Sequence, residues 1–318
     1  MRKIKNTTAK MGIITVVAML FTVAVAVLSL EGCKEKKHAS DKPQVVSTVG
    51  MIHDIVLNIG KSHVDAISLM GPGVDPHLYK ASEGDTRRLA NADLILYNGL
   101  HLEARMADVI QQMSNRTQVV AVSKDIPKDL LRTPPEFDGF ADPHIWFDVT
   151  LWIKVTKTIE EALVNIDPSH KDDYRKNAAE YIKSLEALHQ EVSAKAASLP
   201  QEKRILVTAH DAFGYFGRQY GFKVIGLQGI STQAEAGAKD VQLLADTIVK
   251  QKITAIFIES AVPKRHIQAV QEAVIAKGWQ VKIGGELFAD AMGSAGTPEG
   301  TYIGMIRHNI TTITEALK

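Results

Sequence analysis

The sequence predicts an α/β protein of two lobes, each a mostly parallel sheet flanked by helices, with one long helix linking them. Three observations carry that expectation. The chain has 318 residues, more than one ordinary domain needs and about right for two. Short β-branched apolar runs alternate with longer amphipathic stretches, and the series occurs twice. Between the two series lies an unbroken helical pattern that opens on Asp167-Pro168 and closes at Pro200. Composition agrees: hydrophobic residues make up 45% and charged residues 23%, which suits a chain with a sizeable core and excludes a disordered or fibrous one.

Charge and cysteine content exclude further classes. Lys+Arg number 37 against Asp+Glu 36, interspersed along the chain, so no basic surplus exists for a phosphate backbone and a nucleic-acid partner is not expected. A single cysteine rules out a disulfide framework and a thiolate zinc cluster.

The chain opens with Arg2, Lys3, Lys5 and Lys10, then an uncharged run over 11–30, then Leu-Glu-Gly-Cys ending at Cys33. A basic start, an apolar stretch and a small residue before a cysteine read as a lipoprotein signal peptide over 1–32, with Cys33 as the lipid attachment site. An uncleaved membrane anchor is the alternative, since the apolar run is long enough to span a bilayer. Either way the folded part is expected to be extracytoplasmic and membrane-anchored, in a periplasm or at a cell surface. The lysine-rich residues 33–43 read as a tether.

Residues 44–166 form the first expected lobe, with strands at 45–49, 66–70, 94–97 and 119–122 and helices at 51–59, 83–90 and 100–113. The linking helix is expected over 167–199. Tyr174, Ala178, Ile182, Leu185, Leu188, Val192, Ala196 and Leu199 follow one another at spacings of three and four, a continuous apolar stripe. Such a helix would run about 48 Å and brace both lobes. Residues 200–318 form the second lobe, with strands at 204–208, 224–227, 255–258 and 281–284 and helices at 211–220, 238–250, 263–277 and 301–317.

Eleven histidines are present, and most lie in polar loops or on helix surfaces. Two share a context: Val74-Asp75-Pro76-His77 and Ala141-Asp142-Pro143-His144. Asp caps a helix and Pro suits its first turn, so each imidazole is expected at a helix N-terminus, where the dipole keeps it neutral and ready to bind a metal. One such run alone would read as a helix start. The repetition within one lobe favours a site. His210 ends the strand Ile205-Leu206-Val207-Thr208, at the carboxyl edge where open α/β sheets bind ligands, and Asp290 follows another strand. His77, His144, His210 and Asp290 together make a nitrogen and oxygen donor set for a divalent transition metal in the interlobe cleft. Glu259, at the end of a third strand, reads as a supporting partner of the ligands. His53 and His101, near strand-to-helix turns, are weaker candidates.

Several long runs carry a resemblance. Met70-Gly-Pro-Gly-Val-Asp-Pro-His77-Leu-Tyr79, Asp142-Pro-His-Ile-Trp-Phe-Asp148, Leu206-Val-Thr-Ala-His-Asp-Ala-Phe-Gly-Tyr-Phe216 and Ile283-Gly-Gly-Glu-Leu-Phe-Ala-Asp-Ala-Met-Gly293 are similar to the ZnuA/TroA family. These are the solute-binding lipoproteins of manganese- and zinc-importing ABC systems, and the likeness extends over essentially the whole chain from Val45. It implies a monomeric, non-enzymatic protein that captures Zn2+ or Mn2+, or iron, and hands it to a membrane permease with its ATPase. It also implies a three-histidine, one-aspartate site on the four residues named above. Zinc-dedicated members carry a long histidine-rich loop before the second ligand motif, whereas here residues 131–141 are short and lack histidine. Manganese-dedicated members often have Glu where this chain has His210. The alternative from another class is a membrane-tethered zinc-dependent hydrolase, but no His-Glu-x-x-His, Gly-x-Ser-x-Gly or phosphate-loop motif is present.

Overall fold

Strands buried on both faces need apolar runs, and the centre of the first sheet has them, Val45 and Val46 in one strand beside Leu94, Ile95 and Leu96 in the next. A computed structural model describes residues 41–318, so the leader, Cys33 and most of the tether lie outside the described residues. In the first lobe the chain runs β1 Gln44–Ser47, α1 Gly50–Gly60, β2 Asp65–Ser68, α2 Glu83–Asn91, β3 Leu94–Tyr97, α3 Ala107–Met113 and β4 Gln118–Ala121. The strands are parallel in the order β2-β1-β3-β4. Helices α1 and α2 carry the chain between parallel strands, and α2 starts on a capping box between Ser82 and Asp85. All carboxyl ends of the strands therefore open at one edge, where the loops holding His77 and Asn98 emerge.

The helix expected over 100–113 starts late. Gly99, Leu100 and His101 all take left-handed backbone angles, with φ of 80°, 53° and 65°. The buried Glu103 carboxylate accepts the backbone N–H groups of Asn98 (2.7 Å) and Gly99 (3.2 Å), so this stretch is spent on a turn. Only a 3-10 turn at Ala104–Met106 and the short α3 follow.

Helix α4, Val149–Ile166, was not singled out by the periodicity. Asp148 caps it by accepting from the Thr150 N–H at 2.9 Å, and Trp152, Val155, Ile159 and Leu163 bury its inner face. It packs along α5, Lys171–Ala197, which is the linking helix in shorter form. Pro168–His170 make a 3-10 turn instead of the first helical turn, and the α-helix spans 27 residues, about 40 Å. Its buried face carries Tyr174, Ala178, Leu185, Leu188, Val192 and Ala196. Tyr181 also lies inward, donating its hydroxyl to buried Asp54 of α1 at 2.7 Å.

The second lobe runs β5 Ile205–His210, α6 Gly214–Tyr220, β6 Lys223–Gln228, α7 Ala238–Gln251, β7 Ala255–Glu259, α8 Arg265–Ala276, β8 Lys282–Leu287 and α9 Tyr302–Leu317. Its strands form two parallel ladders, β5 with β6 and β7 with β8, with β5 beside β7. The β7–β8 register shifts between Ile256 and Ile258. Opposite that shift, Gly284 lies so close to Ala316 and Phe257 that a Cβ would come within 2.7 and 2.8 Å of them. One apolar core passes from Val45 and Ile95 through Trp152 and Leu185 into Phe213 and Ile310, so both lobes share it, while a smaller cluster around Val207, Ile256 and Val274 belongs to the second lobe.

Asp167, at the α4–α5 junction, links this packing to pH. Burial alone would raise its carboxyl, but Ser169, Tyr174 and His170 hydrogen-bond the carboxylate and hold it down to about 2. A folded-state value below the unfolded one means the stabilisation is present above the ordinary range near 3.8 and is lost as pH falls through about 2. Asp167→Asn is therefore expected to lower the urea midpoint at pH 7. Its deficit against the parent chain should shrink as denaturation is repeated at successively lower pH below 4. A deficit independent of pH would show that the charge does not matter.

Candidate metal centre

Loops at the carboxyl edges of both lobes bring four side chains to one point. His77 comes from the loop after β2, His144 from the loop before α4, His210 from the end of β5, and Asp290 from the loop after β8. One donor atom from each lies within 4.8 Å of all the others, and each residue is 2% exposed or less. His77 Nε2 is 3.3 Å from His144 Nε2 and 3.4 Å from Asp290 Oδ2. His144 Nε2 is 3.4 Å from Asp290 Oδ1, and His210 Nε2 is 3.3 Å from Asp290 Oδ2. A tetrahedral ion with bonds of about 2.0–2.1 Å separates its ligands by about 3.3–3.4 Å, the spacing of these four pairs. His210 Nε2 and both Asp290 oxygens are buried without a hydrogen-bond partner. Buried polar atoms are almost always paired, so an unpaired imidazole nitrogen beside an unpaired carboxylate fits a shared cation.

The two Asp-Pro-His runs do not start α-helices. In each, the Asp side chain accepts the N–H of the histidine two residues on, Asp75 Oδ1 at 2.8 Å and Asp142 Oδ1 at 3.0 Å, closing an Asx turn. His77 then sits in a turn and His144 precedes a three-residue 3-10 helix, Ile145–Phe147, too short for a useful dipole. Thr232 of the second lobe donates to Asp75 Oδ2 at 2.6 Å and steadies the His77 turn from across the cleft.

Carboxylates orient the other two rings. Asp142 Oδ1 lies 2.8 Å from His144 Nδ1, and Glu259 Oε2 lies 2.5 Å from His210 Nδ1 while its Oε1 accepts the His210 N–H at 3.0 Å. A carboxylate at Nδ1 places the ring proton there and turns the Nε2 lone pair inward. The Trp146 indole N–H donates to the Ala289 carbonyl at 3.0 Å, and the Tyr302 hydroxyl donates to the Trp146 carbonyl at 2.6 Å. That chain ties the His144 loop of one lobe to the Asp290 loop of the other.

Electrostatics inside the cluster follow from burial and the carboxylates of Asp290, Asp142 and Glu259. Burial pushes His77 down to about 3, against the pull of Asp290. Burial also disfavours charge on His144, but Asp290 and Asp142 outweigh it and raise that ring to about 9. Glu259 and Asp290 likewise overcome burial to hold His210 well above its ordinary range. Asp290 is held well below the usual carboxylate range, because His210 and His144 outweigh its desolvation. Burial thus sets the neutral form of His77, while neighbouring carboxylates favour the charged forms of His144 and His210.

The remaining candidates lie apart. His53, on α1, lines a cavity of about 230 Å³ that also borders Asp290, but its ring is not in the ligand set. His101 is exposed, with its ring 4.1 Å from that of Phe140. Asp142, read from the sequence as a cap, proves to be the partner of His144. Arg132, which pairs with Asp142, was not foreseen, because ten residues and a loop separate the two.

Comparison with known proteins gives a consistent picture. The family described as zinc-uptake complex component A, periplasmic, matches residues 45–316. The chain is similar to the manganese-binding lipoprotein MntA of Bacillus subtilis, with 49% identity over 303 residues that cover 94% of this chain and 99% of the relative. It is also similar to the zinc-binding protein TroA of Treponema pallidum, with 53% identity over 281 residues, 88% of this chain and 90% of the relative. The solved structure of the Treponema protein superposes with a TM-score of 0.85 at 52% identity, covering 87% of this chain and 99% of the other.

The geometry makes the four positions separable by experiment. Titration calorimetry with zinc is expected to show a loss of affinity of about 100-fold or more for His144→Ala and His210→Ala, and about 10–100-fold for Glu259→Gln, which removes only ring support. His101→Ala should bind as the parent does. Parent-like affinity in His144→Ala would remove that residue from the centre.

Proposed function

The chain belongs to the zinc-uptake complex component A family, the metal-binding components of ABC importers, and from that premise we propose that it captures a divalent zinc or manganese ion outside the cytoplasm and presents it to a membrane permease. His77, His144, His210 and Asp290 hold the ion. The observation that supports this reading is the set of four buried donor atoms within 4.8 Å of one another, with His210 Nε2 and both Asp290 oxygens lacking any hydrogen-bond partner. Here the ion is cargo. A site filled by four side chains leaves water no coordination position, which suits transport and not metal-assisted hydrolysis, and the family gives the hydrolase alternative no support.

Cys33 carries the lipid that holds the protein at the membrane, and the mature protein acts as a monomer. The names of relatives such as the Bacillus lipoprotein support the anchor. Among the described residues no helix is long and apolar enough to cross a membrane.

Three imidazoles and a carboxylate are borderline donors, and the intrinsic affinity order puts manganese below zinc. Competition calorimetry on protein freed of metal is expected to show one ion per chain, with both ions binding and zinc the tighter. Manganese displacing zinc at equal concentration would mean that geometry overrides donor type. Cys33→Ser is expected to yield a soluble or unprocessed chain in membrane fractionation, and intact residues 1–32 on the parent protein by mass spectrometry would refute lipid attachment.

A further inference from the structure

Arg132 lies on the first-lobe loop between β4 and His144, and its side chain ends on the second lobe. Its guanidinium pairs through Nη1 with Oδ2 of Asp142, whose other oxygen faces His144 Nδ1 at 2.8 Å. The guanidinium also rests against the first turn of α6. Its Cζ is 5.8 Å from the centre of the Tyr215 ring, and a Cβ on Gly214 would fall 1.2 Å from Nη1 and 2.0 Å from Cζ. Only glycine leaves that seat open. The backbone repeats the connection: the Arg132 N–H donates to the Tyr215 hydroxyl at 3.1 Å, and that hydroxyl donates to the Asp142 carbonyl at 2.9 Å. The Asp142 N–H closes the loop on the Arg132 carbonyl at 2.8 Å. Asp142 is fully buried, whereas the Arg132 side chain is 24% exposed, so the arginine is the outer element of the assembly.

We propose that Arg132 is a positioning residue that latches the two lobes and sets how fast the ion leaves. The proposal rests on the reading that His77, His144, His210 and Asp290 hold the ion. Gly214 begins α6 four residues after His210, so one guanidinium joins the support of His144 to the segment that carries His210. Parting the lobes must draw Arg132 off Gly214 and Tyr215. Because Asp142 is shared, the same movement loosens the carboxylate that orients His144. The latch exists only when the lobes are together, so it slows release and leaves capture by the open form unchanged. A planar guanidinium suits this place better than an ammonium, since it pairs with a carboxylate and lies against an aromatic ring at once.

The test compares full-length parent, Arg132→Gln, Arg132→Lys and Gly214→Ala chains loaded with zinc. Release into excess chelator and association with free zinc are both followed by stopped flow. Release is expected to quicken by about tenfold in Arg132→Gln, at the low end of the effect of losing an outer partner of a metal ligand. Gly214→Ala should quicken it similarly, because its methyl fills the guanidinium seat while every ligand and the arginine's charge remain. Arg132→Lys should fall between, keeping the ion pair and losing the ring contact. Association rates should stay within about twofold of the parent, as encounter is less sensitive than escape. The latch is overturned if both Arg132→Gln and Gly214→Ala release zinc within about twofold of the parent rate. It is also overturned if faster release comes only with an equal fall in the melting temperature of the metal-free chains, which marks general loosening. A parent chain that holds no zinc would sink the metal reading and the latch together. A parent that holds one zinc, with variants releasing at its rate, sinks the latch alone.

Discussion

Burying a carboxylate is costly unless opposite charge or hydrogen bonds meet it, and Asp290 is buried with neither oxygen hydrogen-bonded. The rest of the centre is arranged around that fact. Three imidazoles, from three different loops, converge on the two oxygens at 3.3–3.4 Å. Asp290 with Asp142 favours the protonated form of His144, and Glu259 with Asp290 that of His210; a dication held among them would supply the balancing positive charge at the centre of the group instead. The carboxylates of Asp142 and Glu259 behind the rings keep each Nε2 turned inward in either state.

Such a cluster needs a frame stiff enough to hold four donors from both lobes. The shared apolar core, running from the first sheet through α4 and α5 to α6 and α9, supplies it. Close-packed interiors transmit strain and resist gradual deformation. Polar contacts cross the cleft beside this core: Thr232 on Asp75, Trp146 on Ala289, Tyr215 on Asp142, and Arg132 on its glycine seat. Each of these touches a ligand loop, so lobe position and ligand geometry are coupled by contact.

Legibility in the sequence followed the range of the interaction. Strand β3 lies at Leu94–Tyr97 as the apolar run indicated, and α7 and α9 begin within a residue of their expected starts. Local rules sufficed there, because periodicity and caps act over a few residues. They failed at residues 99–101, where Glu103 draws the backbone into a turn, and at α4, where three valines, three threonines and three isoleucines hide a helical face. They also failed at the Asp-Pro-His runs, where the Asx turn competes with a helix cap for the same carboxylate.

The sequence by itself determined which side chains are chemically able to take a divalent ion, and the alternation of strands and helices that sends their loops to carboxyl sheet edges. Only the tertiary structure decided that His77, His144, His210 and Asp290 meet within one coordination radius while His53 and His101 do not. It alone decided that Asp142 serves a ring and that Arg132 needs Gly214 to be glycine. The physical reason is that donor chemistry and periodicity are properties of single residues and short windows. A distance between atoms contributed by two lobes depends instead on how whole buried faces pack against each other.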